Sequence, residues 1–129
     1  VERCMRILIV EDEVAVRDVL SEYLSRFGYT IDLLGTGREA LEQIQKRRYD
    51  VAVVDWRLPG ITGRDVILEL LNISPSTQVL ATTGQITHRL RHLASNEARV
   101  QIVPKPFSLR KLHSLIQKTG SPELNQQAG

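Results

Sequence analysis

The chain has 129 residues, within the roughly 100–150 of a typical single domain, a formal net charge of +2 and 5% aromatic residues. Charge that small and aromatics that few argue against direct nucleic-acid binding by phosphate neutralisation and base stacking. The lone Cys4 excludes an internal disulfide, no apolar run approaches the ~20 residues that span a bilayer, and the amino end shows no secretory pattern, so a cytoplasmic, membrane-free location is expected.

Strand and helix patterns then alternate from end to end. The first strand is expected over Arg6 to Val10. The helix after it carries Val16, Val19, Leu20, Tyr23, Leu24 and Phe27 on one stripe, with Gly28 where a left-handed terminator belongs. A second strand, about Thr30 to Leu34, alternates apolar and polar residues, as suits a less buried edge. Thr36 and Glu39 have capping-box spacing and open a second helix with Ala40, Leu41 and Ile44 inward. The third strand is expected over Asp50 to Val54. After a loop with Pro59, Gly60 and Gly63 comes a helix holding Val66, Ile67, Leu70 and Leu71, stopped by Pro75. Gln78 to Thr82 reads as the fourth strand, about Thr87 to Ser95 as the fourth helix, and Arg99 to Val103 as the fifth strand. Ser108 is the expected N-cap of a last helix holding Leu112, Leu115 and Ile116. The domain is expected over residues 1–120, with a loose polar tail over 121–129.

Five strands alternating with five helices predict an α/β domain with a parallel sheet and right-handed crossovers. Strands one, three and four are the most uniformly apolar and belong in the centre. That favours the doubly wound, flavodoxin-like order 2-1-3-4-5. In such sheets ligands bind at the carboxyl ends of the strands. There the chain places Glu11 and Asp12 after the first strand, Asp55 after the third, Thr83 after the fourth and Lys105 after the fifth.

Crowded carboxylates strain a fold unless a cation neutralises them. Mg²⁺ suits them, being a hard ion that takes a few carboxylates and keeps waters for a phosphorylated ligand. An aspartate carboxylate can also act as a nucleophile and form an acyl phosphate, and Lys105 and the Thr83 hydroxyl could bind the phosphoryl oxygens. Taken singly, each signal has a plainer reading. Glu11-Asp12-Glu13 suits the acidic first turn of a helix, Asp55 a turn or cap, Thr83 a turn before Gly84, and Lys105 a solvated loop. Their succession at the strand ends of one sheet is what points to chemistry.

Glu11-Asp12, the stretch from Asp55 through Leu58-Pro59-Gly60 to Gly63, Thr83-Gly84 and Lys105-Pro106-Phe107 together resemble the receiver domain of two-component response regulators. The resemblance runs from Arg6 to Lys118 with every motif in order. It implies that Asp55 accepts a phosphoryl group from a sensor histidine kinase or a histidine phosphotransfer protein. It also implies that Glu11, Asp12, Asp55 and the backbone carbonyl of Arg57 hold Mg²⁺, and that Thr83 and Lys105 bind the phosphoryl oxygens. Their movement would remodel the face made by the fourth helix, fifth strand and last helix. The Lys105–Pro106 peptide is cis in this family. The resemblance allows an effector domain outside this chain and a phosphorylation-dependent homodimer, and it implies a signalling module rather than a turnover enzyme.

Three departures stand out. Ile102 takes the switch position that usually holds Tyr or Phe, and it cannot swing a ring inward as Thr83 moves. Residues 95–99 lack the Ala-Gly-Ala turn common in relatives. Arg57 and Gln85 flank the site where the family tunes phosphoryl lifetime, and Arg57 is expected to alter it.

Rival functions are weaker. An aspartyl phosphohydrolase generally needs a second Asp two residues after the nucleophile, where this chain has Arg57. A flavin-binding module needs a hydroxyl- and Gly-rich phosphate loop where Glu11-Asp12-Glu13 would repel phosphate. A phosphorylation-independent adaptor remains the alternative, kept open by Ile102. The cations and histidines of the fourth and last helices, His88, Arg89, Arg91, His92, Arg110, Lys111 and His113, read either as solvated faces or as a dock for an acidic partner. Trp56 is expected to be half-exposed.

Overall fold

The computed structural model describes residues 4–120. Strands β1 (Arg6–Val10), β2 (Thr30–Leu34), β3 (Val51–Asp55), β4 (Gln78–Thr83) and β5 (Val100–Pro104) form one parallel sheet in the order β2-β1-β3-β4-β5. Between and after them come α1 (Val14–Leu24, continued by a 3₁₀ turn Ser25–Phe27), α2 (Gly37–Lys46), α3 (Gly63–Ile73), α4 (His88–Asn96) and α5 (Leu109–Gly120). The expected flavodoxin-like fold is present, with β2 and β5 at the edges. The polar tail expected over 121–129 lies outside the described residues.

Alternation within the strands builds two cores. Leu8, Val10, Ala52, Val54, Val79 and Ala81 face one side of the sheet and pack with Ala40, Ile44, Val66, Ile67, Leu70 and Leu90 from α2, α3 and α4. Ile7, Ile9, Val51, Val53, Leu80 and Val103 face the other and pack with Leu20, Leu24, Leu112 and Ile116 from α1 and α5. The central strands are therefore buried on both faces, which explains their unbroken apolar runs. Each fully buried Leu or Ile contributes roughly 1.5–3 kcal/mol relative to an exposed one.

Local signals set the helix ends. The Ser108 hydroxyl accepts from the Lys111 amide at 3.0 Å, as an N-cap should. At Thr36 the hydroxyl accepts from the Glu39 amide at 3.1 Å, but the Glu39 carboxylate accepts from the Thr36 hydroxyl instead of its amide. The reciprocal box forms at Thr62 and Asp65, where each side chain accepts from the other's amide, at 3.2 and 3.1 Å. It starts α3 directly after the loop that leaves Asp55. Gly28 has φ +79°, the left-handed terminator expected, one turn beyond the α-helix proper.

Two expectations are corrected. Val19 and Phe27 do not enter the core that Leu20 and Leu24 share with the sheet; both are exposed. Trp56 is buried, 8% exposed, because its ring packs into the core with Leu58 and Val66. No helix among the described residues is long and apolar enough to cross a membrane.

Candidate functional site

Register brings the polar strand ends to one rim. Val10 pairs with Val54, Asp55 with Thr82, and Thr83 with Pro104, so Glu11, Asp55, Thr83 and Lys105 all leave the sheet at its carboxyl edge. Asp55 is the last residue of β3 rather than the first of the loop. Its position is tightly held: the Trp56 amide donates to the Thr82 carbonyl at 2.9 Å. A side chain at Gly63 would put its Cβ 2.0 Å from the Asp55 carbonyl oxygen, so only glycine lets α3 start this close.

One carboxylate oxygen from each of Glu11, Asp12 and Asp55 lies within 4.8 Å of the others. Glu11 and Asp55 are 3% and 6% exposed, whereas Asp12 is open to solvent. The Lys105 ammonium donates to Glu11 Oε1 at 3.0 Å and to Asp55 Oδ2 at 3.3 Å. The remaining oxygens meet backbone donors: the Arg57 amide reaches Asp55 Oδ1 at 3.1 Å, and the Glu13 amide reaches Glu11 Oε2 at 3.2 Å. Burial lowers the Lys105 pKa, but the Glu11 and Asp55 carboxylates together outweigh it and hold the value above the ordinary lysine range. Lys105 is thus a positive charge held against two of the three clustered carboxylates. The Lys105–Pro106 peptide is cis, as the resemblance implies.

The other expected residues are placed differently. The Thr83 hydroxyl, almost fully buried, is engaged in its own turn: it donates to the Gln85 carbonyl at 2.8 Å and accepts from the Gln85 amide at 3.1 Å. To meet a ligand it must give up that carbonyl. The Arg57 guanidinium does not join the carboxylates; it donates to Gln85 Oε1 at 3.0 Å and ties the loop after β3 to the loop after β4. Ile102 pairs with Ala81 and packs, partly buried, on the core under α4. His113 leaves the group of surface cations. It is buried, its Nε2 2.7 Å from the Tyr29 hydroxyl and its ring stacked on Phe27 at 3.8 Å between centroids.

Two features went unread in the sequence. Arg17 reaches back from α1 to donate to the Glu11 carbonyl at 3.2 Å, steadying the acidic turn. Val16, Val19 and Leu20 with Lys105, Phe107 and Leu109 line an open apolar groove of about 570 Å³ beside the carboxylates. The signal for the groove was the excess width of the α1 stripe: Val19 is apolar at a helical position the core does not need.

Residues 7–117 match the model of the response regulator receiver domain, and the chain belongs to that family. Its place is therefore in two-component signal transduction. The response regulator MprA of Mycobacterium leprae (strain TN) is 34% identical over 112 residues, covering 87% of this chain and 49% of the relative. The chain spans about half the length of the curated relatives it matches. Among solved structures, a CheY-like receiver domain protein from Methanospirillum hungatei JF-1 shares 25% identity and a TM-score of 0.85, covering 98% of both chains. The response regulator TrrA of Thermotoga maritima, solved in complex with Mg²⁺–BeF, shares 31% identity and a TM-score of 0.76, covering 89% of this chain and 98% of that one.

Proposed function

We propose that Asp55 is a phosphoacceptor, charged by a sensor histidine kinase or a histidine phosphotransfer protein, and that the domain signals through its phosphorylated state. The observation that carries this is the contact of the Lys105 ammonium with both Glu11 and Asp55, at 3.0 and 3.3 Å, beside the exposed Asp12. Such an arrangement suits attack by an Asp55 oxygen on phosphorus. The new O–P bond forms as the P–N bond to the donor imidazole breaks, and the electron pair leaves with the imidazole, which takes up a proton. Lys105 then faces the phosphoryl oxygens instead of a bare carboxylate. Thr83 reaches them by exchanging its bond to Gln85, and this exchange would couple phosphorylation to the start of α4.

The donor set fits Mg²⁺: three clustered carboxylates, all hard oxygen ligands, opposed by one ammonium. Glu11, Asp12 and Asp55 would hold it, with the Arg57 carbonyl as a further ligand. When bound, it supplies positive charge to the phosphoryl oxygens. The Mg²⁺–BeF complex of the Thermotoga relative supports the same reading.

The test is intact mass after incubation with Mg²⁺ and phosphoramidate. One phosphoryl group per chain is expected, absent in Asp55→Asn and after chelation. No mass gain in a folded protein overturns the proposal and leaves the adaptor reading, which Ile102 favours. Label persisting in Asp55→Asn moves the acceptor elsewhere.

A further inference from the structure

We infer that the turn after β2, Gly35-Thr36-Gly37, positions both halves of the carboxylate cluster, although none of its side chains joins the cluster. The inference rests on the reading of that cluster as a Mg²⁺ site.

Glu11 is held through its backbone from two sides. Its amide donates to the Leu34 carbonyl at 3.0 Å, and its carbonyl accepts from Arg17 Nη1 at 3.2 Å. Arg17 is half-buried and forms no ion pair among the described residues, so its guanidinium is committed to that carbonyl rather than to an acid. To reach it, the guanidinium lies across Gly35. A Cβ on Gly35 would overlap Nη1 and stand 3.1 Å from Cζ. Gly35 does not have the positive φ of Gly28 or Gly60, so what its missing side chain supplies is room.

Gly37 does the same for the other half of the cluster. A Cβ there would overlap the Ile61 carbonyl oxygen and come within 2.9 Å of Ile61 Cγ2. Ile61 lies in the loop between Asp55 and α3, whose far end is set by the contact of Gly63 on the Asp55 carbonyl. Between the two glycines the Thr36 hydroxyl accepts from the Glu39 amide at 3.1 Å, which fixes the start of α2 and with it Gly37. One short turn therefore bears on the chain that presents Glu11 and on the chain that leaves Asp55. Removing a group that orients metal ligands from behind typically weakens metal affinity roughly 10- to 100-fold.

The test is calorimetric titration of the unphosphorylated chain with Mg²⁺, without a phosphodonor. Gly35→Ala meets only the far end of a flexible side chain, so the fold should persist while the Mg²⁺ dissociation constant rises about tenfold. Arg17→Ala should give the same loss. The double variant should lose no more than either single one, because both changes remove the same bond; independent structural damage would add. Gly37→Ala meets backbone and should also weaken Mg²⁺ binding. Should that variant unfold, the cycle between Gly35 and Arg17 carries the test alone. Unchanged affinity in Gly35→Ala or Arg17→Ala, or losses that add, would overturn the inference and leave the phosphoacceptor reading standing. A wild-type chain that takes up no Mg²⁺ would overturn both.

Discussion

Lys105 and His113 belong to the same carboxyl-terminal segment, yet burial acts on them with opposite outcomes. At the carboxyl rim, burial works against the Lys105 charge, but Glu11 and Asp55 outweigh it and the ammonium is held. Beside the turn into β2, the His113 imidazole meets Phe27, Tyr23 and the Tyr29 hydroxyl, and burial lowers its pKa with no carboxylate to oppose the effect. One place keeps a charge against the clustered carboxylates, and the other keeps a titratable ring inside a packed joint where burial disfavours its protonation. At the rim the charges compensate one another incompletely: three carboxylates cluster there and one ammonium contacts two of them.

The contrast is broken most sharply at Lys105. Lys105→Met should slow acyl phosphate formation about hundredfold, as expected for losing one preorganised charge on the developing oxyanion. A quenched time course with phosphoramidate measures it, and an unchanged rate would remove Lys105 from the chemistry. A smaller effect is expected at Arg57, whose side chain touches Gln85 and not the acceptor oxygens. Arg57→Ala opens the tie between the two loops and should shorten the phosphoryl lifetime by a factor of a few, in line with one hydrogen bond of about 0.5–1.5 kcal/mol. Timing the loss of added mass checks it; a longer lifetime would reverse the assigned role.

The smallest effect sharpens the other half of the contrast. The folded-state pKa of His113 lies below its unfolded value of about 6.5. Its contribution to stability is therefore complete above that value and is lost as pH falls through it toward the lowered folded pKa. Denaturant midpoints should drop between about pH 7.5 and about pH 5.5, and His113→Phe should flatten part of that slope. Equal slopes in both proteins would show that the joint does not respond to protonation.

Much of the fold was legible because the strands declare themselves. Ile7-Leu8-Ile9-Val10 and Val51-Ala52-Val53-Val54 are apolar on both faces, which only a central parallel strand between two helix layers requires. The Thr62–Asp65 box was passed over because the sequence signature asks for Glu or Gln at the third position, and here the shorter aspartate closes it. Trp56 was misjudged because its loop position says nothing of the core space beside Leu58 and Val66. His113 could not be told from the exposed cations of α5, since its partners Tyr29 and Phe27 lie far away in the chain.

By itself, the order of residues determined which groups end each strand, because side-chain alternation and apolar runs are local properties read along the chain. That was enough to nominate Glu11, Asp12, Asp55, Thr83 and Lys105. Only the tertiary structure decided how they are used: Lys105 held between two carboxylates, Thr83 turned into its own loop, Arg57 spent on Gln85, and His113 withdrawn from the surface. Apart from the local Thr83–Gln85 turn, these are distances and burials between segments remote in sequence, and they are set by strand register and helix packing rather than by any residue's own preference.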